Sequence, residues 1–599
     1  MSPAQLAYYD ENIPCLAACP VNTNAGMYVA AIADGDDERA YLTARLPNPF
    51  ASVCGRVCAA PCEDACRRGE IDEPIAIRAL KRFVTEQFGT ETSNGTANGR
   101  VWEKVAAPPT IERDQSIGIV GGGPAGMACA HDLRRLGYQV TVYEATDKLG
   151  GAMWLGIPEY RLDREVLGRD LDAIVNLGVK VHLETKLGID VTLNALRTLH
   201  DAVFLGIGAG LGRGLDIEGV EADGVYKAIE FLVSMNRGYE VEVGERVVVV
   251  GGGDVAMDAA RTALRAADYD FKRSSEADQD PAARAERSND DRSSEARTIA
   301  RSVAREILVM SLESRDEMPA HDFEVEEAEE EGIKFAPRRG PARVLVENGQ
   351  VVGIETVGVT RVFDEEGRFS PTFDESDRQS FDADTIILAI GQAIDLDALG
   401  SAGPEIGPRR SIQVDDPTGR TSLADVWAGG DGAKGPRTLI DAIADGRRSA
   451  ADIHRSFGGE FEEAKPGRMA RYDFHRLTDE YDRASRFAVP TLETSRRKDL
   501  AEVETGFTPE QARCEASRCL RCFANIQLDT ERCVLCALCA DVCPLDLISL
   551  VPSEEINPQR GGGTVLLLDE SACIRCALCI ERCPPDALSM GVWTGVGVP

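Results

Sequence analysis

The sequence lacks any run of the roughly 20 consecutive apolar residues that a membrane-spanning helix needs, so it predicts no membrane insertion. It also lacks a basic excess, because 66 Lys and Arg face 100 Asp and Glu, for a formal net charge of −34. A nucleic-acid binder needs a basic face, so we expect no nucleic acid as a partner. With only six His residues, no constellation indicates a hydrolytic site, and the catalytic residues stay unknown at this stage.

The first residues also lack the basic and apolar stretches of a secretory signal peptide, and acids already stand at Asp10 and Glu11. This start predicts a cytoplasmic protein whose 18 cysteines remain reduced. Six cysteines lie at 15–66 and eleven at 514–583, with Cys129 alone between the two groups. Such clustering indicates thiolate-bound metal centres rather than a disulfide scaffold.

One cysteine pattern occurs twice near the C terminus. Each copy has four closely spaced cysteines, and they are followed by Pro544 in the first copy and by Pro584 in the second. Zinc ribbons instead pair Cys knuckles that lie far apart. In two-cluster bacterial ferredoxins, three thiolates hold one 4Fe-4S cluster and the fourth ligates the other. The repeat therefore predicts an α+β ferredoxin domain with one cluster on Cys533, Cys536, Cys539 and Cys583, and the other on Cys573, Cys576, Cys579 and Cys543.

A glycine-rich turn follows a short apolar strand at 116–120 and leads into a helix that we predict at 127–136. A second strand at 139–144 ends in an acid. Glycines permit a tight turn and let a pyrophosphate approach a helix N-terminus, while the acid is placed for ribose hydroxyls. This order predicts a Rossmann-like dinucleotide site formed by Gly121, Gly123, Pro124, Ala125, Gly126 and Glu144.

A second unit of the same kind begins with the strand at 246–250. The next strand is predicted at 307–312, because residues 267–302 form a Ser-, Asp- and Arg-rich insertion that we expect to be a mobile surface loop or, alternatively, a docking segment. The residues predicted to contact the dinucleotide are Gly251, Gly253, Asp254, Val255, Ala256, Glu313 and Arg315.

The acid at the end of that strand bears on the choice of coenzyme. A carboxylate at Glu313 accepts hydrogen bonds from ribose hydroxyls and repels a 2′-phosphate, which predicts NADH over NADPH. Two alternatives stay open: the guanidinium of Arg315 could meet a phosphate, and Glu313 could be a solvated loop acid.

The N-terminal cysteines carry a resemblance to a known family. Cys15 and Cys19 precede Pro20, and four further cysteines at 54–66 lie between characteristic segments at 48–50 and 74–83. These segments are similar to the N-terminal cluster domain of the glutamate synthase small-subunit family. That family also includes the N-terminal half of dihydropyrimidine dehydrogenase and the large subunit of the NADH-dependent ferredoxin:NADP oxidoreductase. The resemblance covers nearly the whole chain and implies a helical iron–sulfur domain, an FAD domain interrupted by an NAD(H) domain, and electron transfer among these cofactors.

Two further segments, at 148–153 and 156–162, resemble the flavin-side segments of that family. They imply FAD at the first glycine-rich unit. The segment 421–431 resembles the second FAD fingerprint of flavoprotein reductases, in which the Asp hydrogen-bonds the ribityl chain. NADP-using relatives show paired Arg where this chain has Leu312 and Glu313, in agreement with a preference for NADH. The residues that these segments add to the FAD site are Gly150, Gly151, Arg161, Gly430, Asp431 and Ala442.

One element of the family pattern is displaced in this chain. In relatives, a motif with two more thiolates stands just upstream of the first cysteine pair, whereas here its counterpart lies at 507–522. We therefore expect this C-terminal stretch to fold back and complete the N-terminal clusters. The resemblance implies one cluster on Cys15, Cys66, Cys519 and Cys522, and a second on Cys19, Cys58 and Cys62.

The fourth ligand of the second N-terminal cluster is left open by the resemblance. Relatives can use Gln or Glu there, and the matching position is Lys81, a poor ligand while protonated. We nominate Cys54 and regard Cys129 and Cys514 as structural. With the two ferredoxin-type clusters, the chain is expected to hold four 4Fe-4S clusters.

Together these patterns predict an α/β multidomain chain. Its expected divisions are an iron–sulfur domain at 1–110, an FAD domain in two parts at 111–235 and 376–460, an NAD(H) domain at 236–375, a linker and fold-back segment at 461–530, and a ferredoxin domain at 531–599.

The predicted function is that of an NADH-dependent FAD/iron–sulfur oxidoreductase subunit. Its expected partners are other redox subunits of a larger complex or soluble ferredoxin, and candidates are a 2-oxoacid:ferredoxin oxidoreductase, another low-potential reductase, a hydrogenase and a glutamate synthase large subunit. The alternatives are a glutamate synthase small subunit that uses NAD(P)H and a non-catalytic scaffold that wires two partners together. No Cys pair lies near either glycine-rich turn, which argues against a disulfide reductase. No motif fixes the direction of electron flow or flavin bifurcation.

Overall fold

The described part of the chain in this computed structural model comprises residues 11–92, 101–105, 107–239, 241–266, 306–401, 403–461, 468–472, 484–497, 500–559 and 561–594. The insertion predicted at 267–302 lies outside these residues. In the described ranges, no helix combines the length and the apolarity that crossing a membrane requires.

The helices are, in chain order, α1 Pro14–Ala17, α2 Ala25–Ala33, α3 Asp37–Arg45, α4 Ala51–Val57, α5 Pro61–Asp64, α6 Ile77–Phe88, α7 Val101–Val105, α8 Pro124–Arg135, α9 Ala152–Leu155, α10 Arg164–Val175, α11 Leu193–Leu199, α12 Ala228–Arg237, α13 Asp254–Leu264, α14 Asp322–Glu330, α15 Asp431–Lys434, α16 Leu439–Ser456, α17 Pro509–Ser517, α18 Leu538–Asp541, α19 Ser553–Ile556 and α20 Leu578–Glu581. Short 3₁₀ turns lie at Arg67–Glu70, Arg315–Glu317, Asp397–Leu399 and Thr494–Arg496.

The strands are β1 Ser116–Val120, β2 Gln139–Tyr143, β3 Lys180–His182, β4 Ala202–Leu205, β5 Leu211–Gly212, β6 Val225–Lys227, β7 Arg246–Val250, β8 Glu306–Met310, β9 Lys334–Ala336, β10 Arg339–Glu347, β11 Gln350–Phe363, β12 Phe369–Asp382, β13 Thr385–Leu388, β14 Gln392–Ala393, β15 Val426–Ala428, β16 Arg468–Arg471, β17 Asn525–Leu528, β18 Ile548–Pro552, β19 Thr564–Leu568 and β20 Leu588–Thr594.

The N-terminal region is helical, as the resemblance implied. The side chains of Asn24 and Asp36 cap α2 and α3 by accepting hydrogen bonds from backbone N–H groups of the first turn, which would otherwise lack partners. The apolar faces of α2 and α6 meet in a shared core, where Tyr28, Ile32 and Leu80 are fully buried. This core positions the N-terminal cysteines.

A five-stranded parallel sheet of order β15-β4-β1-β2-β3 follows. Its central strands are buried along almost their whole length, which explains why they read as apolar runs without alternation. The strand ends Val120 and Tyr143 are paired, so the first glycine-rich turn and Glu144 lie at the same edge of the sheet. The helix predicted at 127–136 begins earlier, at Pro124, because proline is well suited to the first helical position.

A second five-stranded parallel sheet has the order β6-β13-β7-β8-β9. Strands β6 and β13 belong to it, although they lie outside the limits of 236–375 predicted for the NAD(H) domain. Strand β13 enters the sheet only after the antiparallel sheet β10-β11-β12. Pairing between strands so distant in sequence leaves no local pattern that could have placed this boundary.

The C-terminal part returns to the N-terminal helices. Helix α17 packs against α2 and α6, and Phe507, Ala516 and Phe523 share one buried core with α2 and α6. Beyond it, β17 and β20 pair antiparallel, β18 and β19 form a hairpin, and α18 packs against α20. The two ends of the chain therefore meet.

Candidate functional site

The two glycine-rich turns open into a single cavity of about 1550 Å³. Gly121 and Gly123 line it from the first sheet, and Gly251 and Gly253 line it from the second. Pockets for one ligand usually measure about 300 to 1,000 Å³. The cavity therefore has room for more than one ligand, and both parallel sheets deliver their strand ends to it.

The first turn has the shape that a pyrophosphate requires. A Cβ atom on Gly126 would lie 1.9 Å from the carbonyl oxygen of Gly121, so only glycine lets the helix start this close to the turn. The Glu144 carboxylate is buried, and it accepts hydrogen bonds from the N–H of Gly122 at 2.7 Å and from the N–H of Thr146 at 2.9 Å. The acid is thus held at the turn, where a ribose would stand.

The other residues predicted for FAD come from three separate segments. Gly151, Gly430 and Asp431 line the cavity, together with Ala442 of α16. Gly150 does not line it, and its N–H donates to the carbonyl oxygen of Gly122. Burial raises the pKa of Asp431. The predicted residues therefore gather around one half of the cavity, and its cradle fits a flavin dinucleotide.

Arg161 differs from the prediction in its contacts. It lines the cavity, but its guanidinium lies 2.8 Å from both carboxylate oxygens of Asp258 and also pairs with Glu324. Both acids belong to the second unit. The structure therefore shows Arg161 as a link between the two units, and sequence reasoning missed both of its partners.

The second turn repeats the geometry of the first with one change of register. Met310 pairs with Val250 as Tyr143 pairs with Val120, so Ser311 occupies the position of Glu144. Glu313 stands two residues further on, yet its carboxylate reaches to 3.0 Å from where a Cβ on Gly252 would lie. The carboxylate of Glu313 therefore covers the second turn much as that of Glu144 covers the first.

Of the other residues predicted for the nicotinamide coenzyme, some line the cavity and some do not. Val255 lines the cavity, whereas Ala256 is fully buried in α13. The guanidinium of Arg315 lies 3.5 Å from Asp322 and 3.7 Å from Glu329, away from the cavity lining. In its place Arg339 lines the cavity and pairs with Asp377 at 3.0 Å, a basic residue that sequence reasoning missed.

Asp254 is held by a residue that the sequence did not single out. The N–H of His321 donates to Asp254 at 2.9 Å, and the ring Nδ1 lies 2.8 Å from the other carboxylate oxygen. The hydrogen bond from His321 lowers the pKa of Asp254, although burial opposes this shift, and Asp254 in turn raises the pKa of His321. The pair fixes the start of α13 beneath the second turn.

The displaced motif places its cysteines as the fold-back requires. Cys15, Cys66, Cys519 and Cys522 line one small cavity. The backbone N–H of Arg521 points at the sulfur of Cys519 at 3.4 Å, as that of Ala60 points at Cys58 at 3.4 Å. Hydrogen bonds to sulfur are a normal feature of iron–sulfur ligands. The four thiols and the donor at Cys519 fit a 4Fe-4S cluster, and the donor at Cys58 belongs to the other N-terminal group.

The second N-terminal group surrounds a buried lysine. The ammonium of Lys81 lies within electrostatic reach of the thiols of Cys19, Cys54, Cys58 and Cys62, which raise its pKa although burial opposes this. Cys54 stands one helical turn before Cys58 and hydrogen-bonds with it. Cys58 also lines the large cavity. This group of thiols is therefore next to the dinucleotide site.

The ferredoxin repeat brings the fourth cysteine of each copy next to the first three of the other copy. Cys543 of the first copy lines a small cavity with Cys573, Cys576 and Cys579 of the second. Cys583 lies near Cys539 in the other group. The backbone N–H groups of Leu547 and Ala587 point at sulfurs of the crossing cysteines, Cys543 and Cys583. Across the described ranges, no group of three or more His, Cys, Asp or Glu side chains is arranged to hold a single metal ion.

Three family models match the chain. They are the pyridine nucleotide-disulphide oxidoreductases over residues 115–446, the dihydropyrimidine dehydrogenase domain II with its 4Fe-4S cluster over 4–93, and the 4Fe-4S dicluster domain over 532–587.

Curated relatives align over most of the chain. The beta subunit of the NADP(+)-dependent formate dehydrogenase of Moorella thermoacetica is 35% identical over 85% of this chain and 70% of its own length. The beta subunit of the NADPH-Fe(3+) oxidoreductase of Geobacter sulfurreducens is 33% identical over 85% and 75%. The glutamate synthase [NADPH] small chain of Azospirillum brasilense is 30% identical over 74% and 85%.

Proposed function

Because the chain belongs to the pyridine nucleotide-disulphide oxidoreductase family, with iron–sulfur domains at both ends, we propose that it is the NADH-oxidising or NAD⁺-reducing subunit of a larger redox complex. At the coarser level it is an NAD(P)H-linked flavin and iron–sulfur oxidoreductase. The coenzyme, the residues that hold each cofactor, the number of clusters and the partner belong to the proposal.

The observation that carries the proposal is the single cavity lined by both glycine-rich turns and by Cys58. The first turn, Glu144 and Asp431 would hold FAD, and the second turn with Glu313 would hold the nicotinamide coenzyme. When bound, FAD supplies the exchange between hydride chemistry and single-electron chemistry. The residues of the chain would hold both coenzymes in one enclosure, and Cys58, a proposed cluster ligand, lies on its wall.

The four groups of thiols lie in a row that begins at this cavity. Cys58 belongs to the first group, and Cys62 of that group lies near Cys15 of the second. Next to Cys66 of the second group, Arg67 donates to the carbonyl oxygen of Cys573 in the third group at 2.9 Å. The third and fourth groups exchange ligands within the ferredoxin repeat. We propose this order for electron transfer between the cavity and the surface.

The preference for NADH is the point at which this chain is proposed to differ from the relatives whose names contain NADP(+) or NADPH. Glu313 places a carboxylate over the second turn, and Leu312 beside it carries no charge. Arg339, which lines the same half of the cavity, is engaged by Asp377. These contacts favour a ribose with free hydroxyls over one that carries a 2′-phosphate.

The partner is proposed to be a dehydrogenase or reductase subunit of low potential. The first two relatives are named as beta subunits, of a formate dehydrogenase and of an Fe(3+) oxidoreductase. A non-catalytic scaffold would not need either glycine-rich turn, and here both turns keep the geometry that a dinucleotide requires. A glutamate synthase small chain remains the second candidate because a relative with that name aligns at 30% identity.

The test uses the full chain purified without oxygen. We expect it to contain FAD and about sixteen irons, four for each of four clusters, and to reduce benzyl viologen with NADH at a higher kcat/KM than with NADPH. A protein without FAD that reduces no dye with either coenzyme would show that the proposed function is wrong. Faster turnover with NADPH would overturn only the role proposed for Glu313.

A further inference from the structure

The ferredoxin repeat presents the same loop twice, in two different surroundings. The loop between the first two cysteines contains Val534 and Leu535 in the first copy, and Ile574 and Arg575 in the second. Leu535 and Arg575 share a left-handed backbone, with φ of 54° and 57°. Ala537 and its counterpart Ala577 are also left-handed, with φ of 65° and 64°. The two loops therefore have one backbone shape.

One of these loops is already docked. Arg575 is buried, with 3% of its surface exposed, and Arg67 of the N-terminal region donates to the carbonyl oxygen of Cys573 at 2.9 Å. The core of the N-terminal helices extends to Ala577. The second copy therefore meets a neighbouring redox domain through this loop, with a basic side chain against its backbone.

The other loop has the same backbone shape, but it is exposed among the residues that the structure describes. Val534 is 68% exposed and Leu535 39% exposed, although both side chains are apolar. Cys536, a predicted ligand of the outermost group, is exposed as well. Exposed apolar side chains that lie together, rather than singly, indicate a contact surface, and this adjacent pair lies at the last group of the proposed row.

The charges around the exposed loop select the kind of partner. Between residues 529 and 594 the chain has ten acidic and four basic residues. Glu531 and Asp586 are exposed beside the loop, and Asp586 is tied to it by Arg532 at 3.6 Å. An acidic rim attracts a basic surface and repels an acidic one.

We propose that Val534 and Leu535 form the docking face for the external redox partner, a protein that presents basic side chains beside its own redox centre. The proposal rests on the proposed function, because it names the partner surface of the same electron path. We expect the partner to bind the first copy as Arg67 binds the second. Arg67 donates to the carbonyl oxygen of Cys573, so the partner would place a basic side chain against the carbonyl oxygen of Cys533, the matching cysteine of the first copy. A cluster held by Cys533, Cys536, Cys539 and Cys583 would supply one-electron transfer to such a partner.

The test uses cytochrome c, a basic haem protein, as the probe for a basic redox partner. Leu535→Arg introduces the residue that the second copy holds in the same backbone conformation, so the loop should fold. We expect its Kd for ferric cytochrome c, measured by calorimetry at low salt, to rise about tenfold, which corresponds to about 1.4 kcal/mol. Leu535→Glu should weaken binding less than Leu535→Arg does, because both variants lose the apolar contact but only the arginine adds repulsion of a basic partner.

The matched control is Leu567→Arg, which makes the same charge change at a leucine of β19 that is 45% exposed and lies outside the loop. It should bind cytochrome c with an affinity close to that of the unmodified chain. Equal weakening by Leu535→Arg and Leu567→Arg would overturn the proposal, since only net charge would then matter. Equal weakening by Leu535→Arg and Leu535→Glu would overturn the choice of a basic partner. Benzyl viologen reduction by the unmodified chain reports separately on the proposed function.

Discussion

At the scale of single residues, Glu313 is the carboxylate on which the proposed preference for NADH depends. Glu313→Arg would replace a group that accepts from ribose hydroxyls by one that pairs with a 2′-phosphate, and charge-assisted pairs of this kind are strong. We expect the ratio of kcat/KM for NADH to that for NADPH to fall at least about tenfold, or about 1.4 kcal/mol. Steady-state dye reduction with each coenzyme measures it.

Strand β8 also supplies the control for this substitution. Glu306 stands at the opposite end of the strand, is largely exposed and lies 3.6 Å from Lys334. Glu306→Arg makes the same change of charge away from the cavity, so the ratio should stay as it is in the unmodified chain. A shift of equal size in both variants would mean that the charge of the whole unit, and not contact with the coenzyme, sets the preference.

At the scale of elements, the fold-back segment has a direct chemical consequence. Cys519 lines a cavity with Cys15, Cys66 and Cys522, contributed by both ends of the chain. Cys519→Ser removes one thiolate, and we expect it to lower the iron content by about four atoms per chain, the content of one cluster. The control is Cys514→Ser on α17, whose thiol is exposed and belongs to none of the proposed groups. Iron analysis and electron paramagnetic resonance of the reduced protein distinguish the two outcomes.

The elements also show which features the sequence could predict. The glycine-rich turns with β1 and β7 were predictable because turn residues and apolar runs act over a few positions. Strand β13 was not, since it pairs with β6 and β7 across the antiparallel sheet β10-β11-β12. The same reason hid the partners of Arg161, which come from α13 and α14 of the second unit. Contacts between elements far apart in the chain left no local trace.

At the scale of the whole molecule, spacing and resemblance grouped the cysteines but did not order the groups. The proposed order of the four cysteine groups follows from contacts in the structure. Cys58 lines the cavity, and Arg67 donates to the carbonyl oxygen of Cys573. In the proposed path, the cluster formed by both ends of the chain lies in the middle, and the first copy of the ferredoxin repeat lies at the outer end. The proposed electron path thereby joins the cavity, the contact between the two ends of the chain and the ferredoxin repeat.

The net charge of −34 adds a long-range term to this arrangement. The field of an acidic protein accelerates encounter with a basic acceptor, and salt screens it. We expect kcat/KM for reduction of cytochrome c to fall by at least about tenfold as the salt rises from about 0.01 M to about 1 M, where the Debye length shortens from about 30 Å to about 3 Å. Ferricyanide, an anionic acceptor, provides the control, and its rate should stay level or rise. A parallel fall with both acceptors would place the effect of salt on the protein itself and contradict electrostatic steering.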